Sequence, residues 1–280
     1  MSVTETAHLF RCGSESLVGI VSHPSGTGRE TGVVIVVGGP QYRIGSHRQF
    51  ALLARALAAA GHPALRFDYR GMGDSTGPSV AFDAVDADIA AAIDLLQAAH
   101  PGVRRVALWG LCDGASAALL YAHRSGDRRI AGVALANPWL HSDQARAHAT
   151  VHMYYRQRFF EMAFWRKLLR GGINPWRSMR ELAGHRRQAR LSPATGGATT
   201  IMLGALSELD LPMLFLLCRR DPTAREFLAQ LDLAKSTVLS GAHVSRADFA
   251  EADHTFSRAE WRKDAENATI AWLNGALGRP

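Results

Sequence analysis

The sequence predicts an α/β fold in which a mostly parallel, twisted sheet is flanked by helices. Short β-branched runs alternate with longer helix-prone segments along most of the chain. Such alternation is typical of parallel strands joined by helical crossovers, and right-handed crossovers place the helices on both faces of the sheet. A chain of 280 residues is long enough for one such domain with an insertion.

Six strands are predicted before Pro138. The first lies in an edge hairpin that contains Cys12, and the other five lie at 16–22, 32–37, 64–67, 103–109 and 130–136. Apolar spacing and alanine richness predict helices at 46–60, 82–99 and 115–123.

The alternation is interrupted at Pro138. Residues 138–205 are largely helix-prone, aromatic and basic, and we expect a helical lid (cap) inserted after the sixth strand. The core domain then comprises residues 1–137 and 206–280. In its second part, strands are predicted at 212–218 and 237–239 and helices at 224–233 and 259–276.

The net charge of +7 is concentrated in the predicted lid. Residues 141–190 hold 11 of the 32 basic residues and 3 of the 25 acidic ones. An arginine-rich face is usually just solvated, but this excess leaves an anionic partner open: a phosphopantetheine carrier, coenzyme A, an acidic glycan or a membrane surface. Because no nucleic-acid-binding motif accompanies the charge, we expect no nucleic-acid partner.

Composition argues against several other classes of protein. No run of about 18 apolar residues is present, so no transmembrane helix is expected. The N-terminus lacks a basic start and an apolar core, which indicates no secretory signal and a cytoplasmic location. Three scattered cysteines, Cys12, Cys112 and Cys218, are too few for a disulfide framework or a zinc site. We expect no metal and no cofactor.

The most informative motif is the pentad at 110–114, which reads G-L-C-D-G. It lies between a predicted strand and a predicted helix, the context of a nucleophile elbow with cysteine in place of serine. The flanking glycines avoid collisions in a strained turn. Cys112 is expected to project from the carboxyl edge of the sheet, where the helix N-terminus would favour its thiolate. A buried structural thiol and a catalytically silent elbow remain alternatives.

Two further motifs complete a resemblance. Residues 67–75 read F-D-Y-R-G-M-G-D-S, and residues 38–48 read G-G-P-Q-Y-R-I-G-S-H-R. From about residue 33 to residue 273 the chain resembles the α/β-hydrolase superfamily. The W-G-L-C-D elbow and the motif at 38–48 are similar to those of the exosortase A system-associated hydrolase type 1 family. The resemblance implies an α/β-hydrolase fold and a genomic link to exopolysaccharide production and protein sorting.

The superfamily order of nucleophile, acid and histidine is matched by Cys112, Asp221 and His254. The resemblance places Asp221 after the seventh strand and His254 between the last strand and the last helix. Asp221 could equally cap the helix that starts at Pro222, and the two roles are compatible. His254 could instead be a surface histidine. Asp210 and Asp253 are rival acids that are less well placed.

In this reading, His254 takes the thiol proton and later returns one to the leaving group, while Asp221 fixes the tautomer of the imidazole. An ester or thioester substrate would pass through a covalent acyl-enzyme. Water is the favoured acceptor, and acyl transfer to another nucleophile stays open. A non-catalytic ligand-binding or scaffold protein with the same fold is the competing interpretation.

The oxyanion hole is expected to use two backbone N–H groups. One belongs to Asp113, the residue after the nucleophile. The second lies in the loop after the third strand, where the resemblance indicates position 40. Pro40 has no N–H, so Gln41 is the preferred donor.

Four residues are candidates for substrate binding. Tyr42 and His47 belong to the loop after the third strand, and Tyr155 and Phe159 share one face of a helix-prone segment in the lid. Surface or capping roles are the alternatives for His47. Packing of the lid on the core is the alternative for Tyr155 and Phe159.

Overall fold

The computed structural model describes residues 3–39, 41–140 and 196–278. Residues 1–140 with 202–280 form one compact unit, and residues 141–201 form a second. The described part of the first unit contains an eight-stranded sheet in the order β1-β2-β4-β3-β5-β6-β7-β8. The strands are β1 Thr4–Cys12, β2 Glu15–His23, β3 Thr31–Val36, β4 Ala64–Asp68, β5 Arg105–Leu111, β6 Ile130–Ala136, β7 Met213–Cys218 and β8 Val244–Phe249.

The sheet is mostly parallel, as the sequence predicts. β1 pairs antiparallel with β2, and β2 pairs antiparallel with β4, whereas the pairs from β4 through β8 are all parallel. The helices are α1 Gln49–Ala59, α2 Asp86–Ala99, α3 Asp113–Arg124, α4 Gly196–Glu208, α5 Pro222–Leu233 and α6 Ala259–Ala276, with 3-10 turns at Ser46–Arg48, Phe82–Ala84 and Val238–Ser240. No helix among these is long and apolar enough to cross a membrane.

Helices cover both faces of the central strands. All six residues of β3 are buried, because successive side chains enter opposite layers. Val34 and Val36 join the core cluster that contains apolar residues of α2 and α3. Val33 and Ile35 join the cluster on the other face, which contains residues of α1 and α6. The carboxyl edge of the sheet is thereby held by packed layers on both sides.

The last strand differs from the prediction. Residues 237–239 were expected to be a strand, but they lie at a 3-10 turn, Val238–Ser240. The eighth strand is Val244–Phe249, an edge strand of sequence VSRADF that is polar and partly exposed. An edge strand needs no continuous apolar run, and β-propensity arguments therefore miss it. Of the predicted lid, residues 141–195 lie outside the described residues.

Three glycines bring β5, α3 and the turn after β3 into close contact. A Cβ atom on Gly114 would meet the Val36 carbonyl oxygen at 2.5 Å and the Gly38 nitrogen at 2.9 Å. A Cβ on Gly110 would meet the backbone of Gly114, and one on Gly38 would meet the Asp113 carboxylate. The elbow can form only with the smallest residue at each of these positions.

The substitution Gly114→Ala is expected to destabilise the fold by about 1–3 kcal/mol, because its methyl group meets backbone atoms that cannot move aside. Gly275→Ala is the matched control: this glycine also lies in a helix, and its Cβ would meet nothing within 4 Å. There we expect stability to be unchanged or raised by up to about 1 kcal/mol. Thermal or urea unfolding of both variants measures the difference, and equal effects would contradict the packing argument.

Candidate active site

Cys112 occupies a sharp turn between β5 and α3. Its φ of 60° and ψ of −124° are sparsely populated angles that a non-glycine residue keeps only where its surroundings hold it. The Cys112 N–H donates to the Ala136 carbonyl at 2.9 Å, and the Cys112 carbonyl accepts from the Ala115 N–H at 3.1 Å. The residue is partly buried. This is the geometry of a nucleophile elbow.

Asp221 and His254 form a hydrogen-bonded pair. His254 Nδ1 lies 2.7 Å from Asp221 Oδ2, and the side chains are 32% and 2% exposed, respectively. Asp221 follows the end of β7, and His254 lies in the loop between β8 and α6. A carboxylate on Nδ1 fixes the ring orientation and leaves Nε2 for proton transfer.

Asp221 also caps α5, as the sequence allows. Its Oδ1 accepts from the Thr223 N–H at 3.1 Å, and its Oδ2 accepts from the Ala224 N–H at 3.3 Å. Buried carboxylates require such donors. The capping role and the contact with His254 therefore coexist in one side chain.

Neither of the rival acids, Asp210 and Asp253, takes the place of Asp221. Asp253 organises the turn that carries the histidine, since its carboxylate accepts from Thr255 N–H at 3.2 Å and from the Ser257 N–H and hydroxyl. Burial raises the pKa of Asp253, but the hydrogen bonds from Ser257 and Thr255 outweigh it and hold this pKa below its ordinary value. Asp210 is exposed and precedes β7, at the opposite edge of the sheet.

The three candidate catalytic residues follow strands at one edge of the sheet. β6 lies between β5 and β7. Its last residue, Ala136, accepts from the Cys112 N–H at 2.9 Å, and Nδ2 of the next residue, Asn137, donates to the His254 carbonyl at 3.1 Å. Among the described residues, no hydrogen bond joins the Cys112 thiol to the imidazole. The structure thus brings Asp221 and His254 into contact and places Cys112 on the neighbouring turn.

A buried carboxyl group follows the cysteine directly. Asp113 Oδ1 is buried and has no hydrogen-bond partner. Burial raises the pKa of Asp113, and the N–H groups of Gly39 and Gly114 and the charge of His254 offset this only in part. The carboxyl lies against the turn after β3, because a Cβ on Gly38 would collide with it.

The helix N-terminus acts on Cys112 in the expected direction, but its effect is too small to make the residue a thiolate. Burial raises the pKa of Cys112 well above its ordinary value, and the negative charges of Asp113 and Asp221 raise it further. The Asp113 N–H acts in the opposite direction but does not outweigh them. This direction keeps Cys112 a thiol at neutral pH, so attack by its sulfur would require a base to remove the proton, as it does for a serine nucleophile.

The two expected oxyanion donors belong to different segments, Asp113 to the start of α3 and Gln41 to the loop after β3. Asp113 is the first residue of α3, where helical N–H groups have no partner within the helix. Gln41 Oε1 accepts from the Ser46 N–H at 3.1 Å, and the Gln41 N–H makes no hydrogen bond within the described parts of the chain. The Arg43 N–H, two residues on, donates to the buried Asp68 carboxylate at 2.6 Å. Both assignments stay predictions.

Of the substrate-binding candidates, two can be located. Tyr42 is 44% exposed. His47 is exposed, has a left-handed φ of 54°, and its charge contributes to lowering the pKa of Asp253, which places it near the histidine loop. Tyr155 and Phe159 lie outside the described residues.

A metal site has no candidate in the part of the chain that the structure describes, since no group of three or more His, Cys, Asp or Glu side chains could hold an ion there. The sequence did not predict the part that Asn137 takes in the site, nor the effect of the Asp113 carboxyl on Cys112. Asn137-Pro138 is a pair typical of turns, and asparagine tolerates left-handed backbone, so a signal for Asn137 was present.

The sequence profile of the serine aminopeptidase S33 family matches residues 28–180, just over half of the chain. The chain belongs to this family. S33 proteins are α/β hydrolases, and membership supports hydrolase activity. The centre of the elbow departs from the serine in the family's name, since Cys112 stands there. The narrower resemblance to the exosortase-associated family stays a prediction.

Solved structures share the fold of this S33 family member. An esterase of Pyrococcus furiosus is 15% identical, with 97% of this chain and 91% of that chain covered and a TM-score of 0.65. A thermostable carboxyl esterase of Bacillus coagulans is 14% identical, with 99% of both chains covered and a TM-score of 0.64. A serine hydrolase homologue from Coxiella burnetii is 14% identical, with 98% and 99% covered and a TM-score of 0.62. No curated protein matches the sequence significantly.

Replacement of Asp113 by asparagine is expected to lower the pKa of Cys112, because it removes the negative charge that opposes the thiolate most strongly. At pH 7 the thiolate fraction, and with it the rate of alkylation by iodoacetamide, should rise by roughly 3–10-fold. Peptide mass spectrometry at a series of pH values measures the rate at Cys112, with Cys12 and Cys218 as internal references. Asp210→Asn is the control, and an equal rise there would contradict the assignment.

Proposed function

We propose that this protein hydrolyses an ester or a thioester through a covalent acyl-enzyme on Cys112. The observation that carries the proposal is the Asp221–His254 hydrogen bond of 2.7 Å, beside the strained turn that holds Cys112. A non-catalytic scaffold protein would not require a buried carboxylate that is hydrogen-bonded to an imidazole at this edge of the sheet. Family membership supports the same reaction class.

The first half-reaction transfers the acyl group to sulfur. As Cys112 Sγ attacks the carbonyl carbon, His254 Nε2 accepts the thiol proton, and Asp221 stabilises the imidazolium that forms. The carbonyl oxygen becomes an oxyanion, which the N–H groups of Asp113 and Gln41 would bind. Collapse of this intermediate breaks the bond to the leaving oxygen or sulfur. His254 then returns its proton to that atom.

The second half-reaction releases the acid. His254 accepts a proton from water as the water oxygen attacks the acyl carbon, and breakage of the C–S bond regenerates the Cys112 thiol with that proton. An amine or alcohol acceptor in place of water would make the protein an acyltransferase with the same three residues. The basic composition of residues 141–190 supports an acyl group on an anionic carrier, phosphopantetheine or coenzyme A.

The setting of the reaction rests on the sequence alone. The resemblance at 38–48 and at the elbow supports a role associated with exosortase and exopolysaccharide systems, for which we propose a cytoplasmic location. Contact with a membrane surface through the basic segment belongs to the same set of proposals.

Incubation with p-nitrophenyl acetate should give an acetyl adduct on Cys112 that intact-mass and peptide mass spectrometry detect. Cys112→Ala should abolish the adduct, and His254→Ala should slow its formation by about 10²–10⁴-fold, because the general base is lost. Cys12→Ala is the control, because it removes a buried thiol at the end of β1, outside the candidate site. This variant should still form the adduct. A wild-type protein that acquires no adduct on Cys112 would refute the proposal. A thioester panel with and without amine or alcohol acceptors separates hydrolysis from transfer.

Cys112→Ser is expected to retain ester hydrolysis well above the level of Cys112→Ala. The resting cysteine is a thiol, so its attack already requires His254 as a base, and a serine hydroxyl in the same turn can use that base. Steady-state release of p-nitrophenol measures the three proteins. If Cys112→Ser were as inactive as Cys112→Ala, the chemistry would depend on a preformed thiolate.

A further inference from the structure

Asn137 is a buried residue in an uncommon backbone conformation. It follows the last residue of β6, is 0% exposed, and has a φ of 42°. Left-handed backbone is unfavourable for residues other than glycine, and asparagine tolerates it better than most. A buried left-handed residue is kept only where its surroundings hold it, and such residues cluster at functional sites.

The side chain of Asn137 uses both ends of its amide. Its Oδ1 accepts from the Cys218 N–H at 2.8 Å, and its Nδ2 donates to the His254 carbonyl at 3.1 Å. The Asn137 N–H also donates to the Leu216 carbonyl at 2.9 Å. One residue therefore binds the end of β7 and the loop that carries the histidine.

Both partners of the acid–histidine pair depend on these bonds. Cys218 ends β7 and accepts from the Asp221 N–H at 3.0 Å, so its position sets that of the carboxylate. The other bond reaches the backbone of His254 itself. Loss of the amide frees the two loops to move relative to each other, although the Asp221–His254 contact itself stays chemically intact.

We propose that Asn137 is a positioning residue that holds the Asp221 loop and the His254 loop in register, so that the imidazole is oriented for proton transfer. It touches neither substrate nor reacting atoms. The activity part of this inference rests on the proposed function, whereas the geometric part concerns only the imidazole. A misplacement of about 1 Å at a catalytic group can lower a rate about 100-fold.

Asn137→Gly is the most direct variant, because glycine adopts the left-handed backbone freely and lacks the amide. Asn137→Asp keeps the acceptor for the Cys218 N–H and replaces the donor to His254 by a carboxylate oxygen. Asn274→Asp is the matched control, since that amide bonds to the His62 ring at 3.2 Å, in α6, away from the site. Circular dichroism and thermal unfolding confirm that each variant is folded.

Two readouts test the proposal. For p-nitrophenyl acetate, we expect kcat of Asn137→Gly to fall about 10–100-fold with KM within about threefold of wild type, and Asn274→Asp to be unchanged. In protein labelled with ¹⁵N-histidine, the downfield Nδ1 proton of His254, assigned by its loss in His254→Ala, should broaden or vanish in Asn137→Gly. A stable but merely structural amide would leave this resonance in place.

A folded Asn137→Gly with unchanged kcat and an unchanged His254 resonance would overturn the inference. If that variant does not fold, Asn137→Asp decides the matter by the same two readouts. A wild-type protein without esterase activity would refute the proposed function instead, and the resonance would still show whether Asn137 positions the imidazole.

Discussion

The buried carboxylate of Asp221 is the contact on which the rest of the site depends. It is 2% exposed and has three donors: the Thr223 and Ala224 N–H groups and His254 Nδ1. Removing a carboxylate from water is costly unless its oxygens are bonded. Here the helix N-terminus supplies two donors that do not depend on the histidine loop, so α5 holds the carboxylate in place for the imidazole. Stability of α5 and orientation of His254 are therefore coupled through one side chain.

The charge around the sulfur explains how a cysteine can occupy this elbow without being a reactive thiolate. Burial and the carboxylates of Asp113 and Asp221 oppose ionisation, and the N–H of Asp113 compensates only in part. In the proposed mechanism, a thiol in this state is poorly nucleophilic until His254 takes its proton. Attack would then be confined to a carbonyl bound next to the imidazole. A neutral thiol is also less susceptible to oxidation than an exposed thiolate.

Local sequence signals predicted most of the fold, the turn that holds Cys112 and the contact between Asp221 and His254. The pentad at 110–114 predicted the elbow because its glycines are required sterically, and Asp221 follows β7, a buried strand with a strong apolar pattern. The position of His254 was predicted from its place before the last helix. The β8 edge strand was missed, because its short sequence VSRADF shows neither a continuous apolar run nor a strict alternation of apolar and polar residues. The roles of Asn137 and of the Asp113 carboxyl depend on contacts between residues distant in sequence, such as the bond to Cys218. The ionisation state of Cys112 was mispredicted for the same reason. A position at a helix N-terminus can be recognised in the local sequence, whereas the burial that raises the pKa of Cys112 depends on the whole fold.

The proposed position of the second oxyanion donor requires that the loop after β3 be held in one conformation. With Pro40 unable to donate, the proposed donor Gln41 lies one position further from the strand, where backbone freedom increases. Two sets of bonds oppose that freedom. The Gln41 side chain accepts from the Ser46 N–H, and the buried Asp68 carboxylate accepts from the Arg43 N–H and forms an ion pair with its guanidinium. A buried ion pair contributes little net stability, because desolvation offsets attraction, but it specifies geometry strongly. The proposed reaction depends on the geometry of this loop, because an oxyanion donor that is misplaced by a fraction of an ångström loses much of its effect.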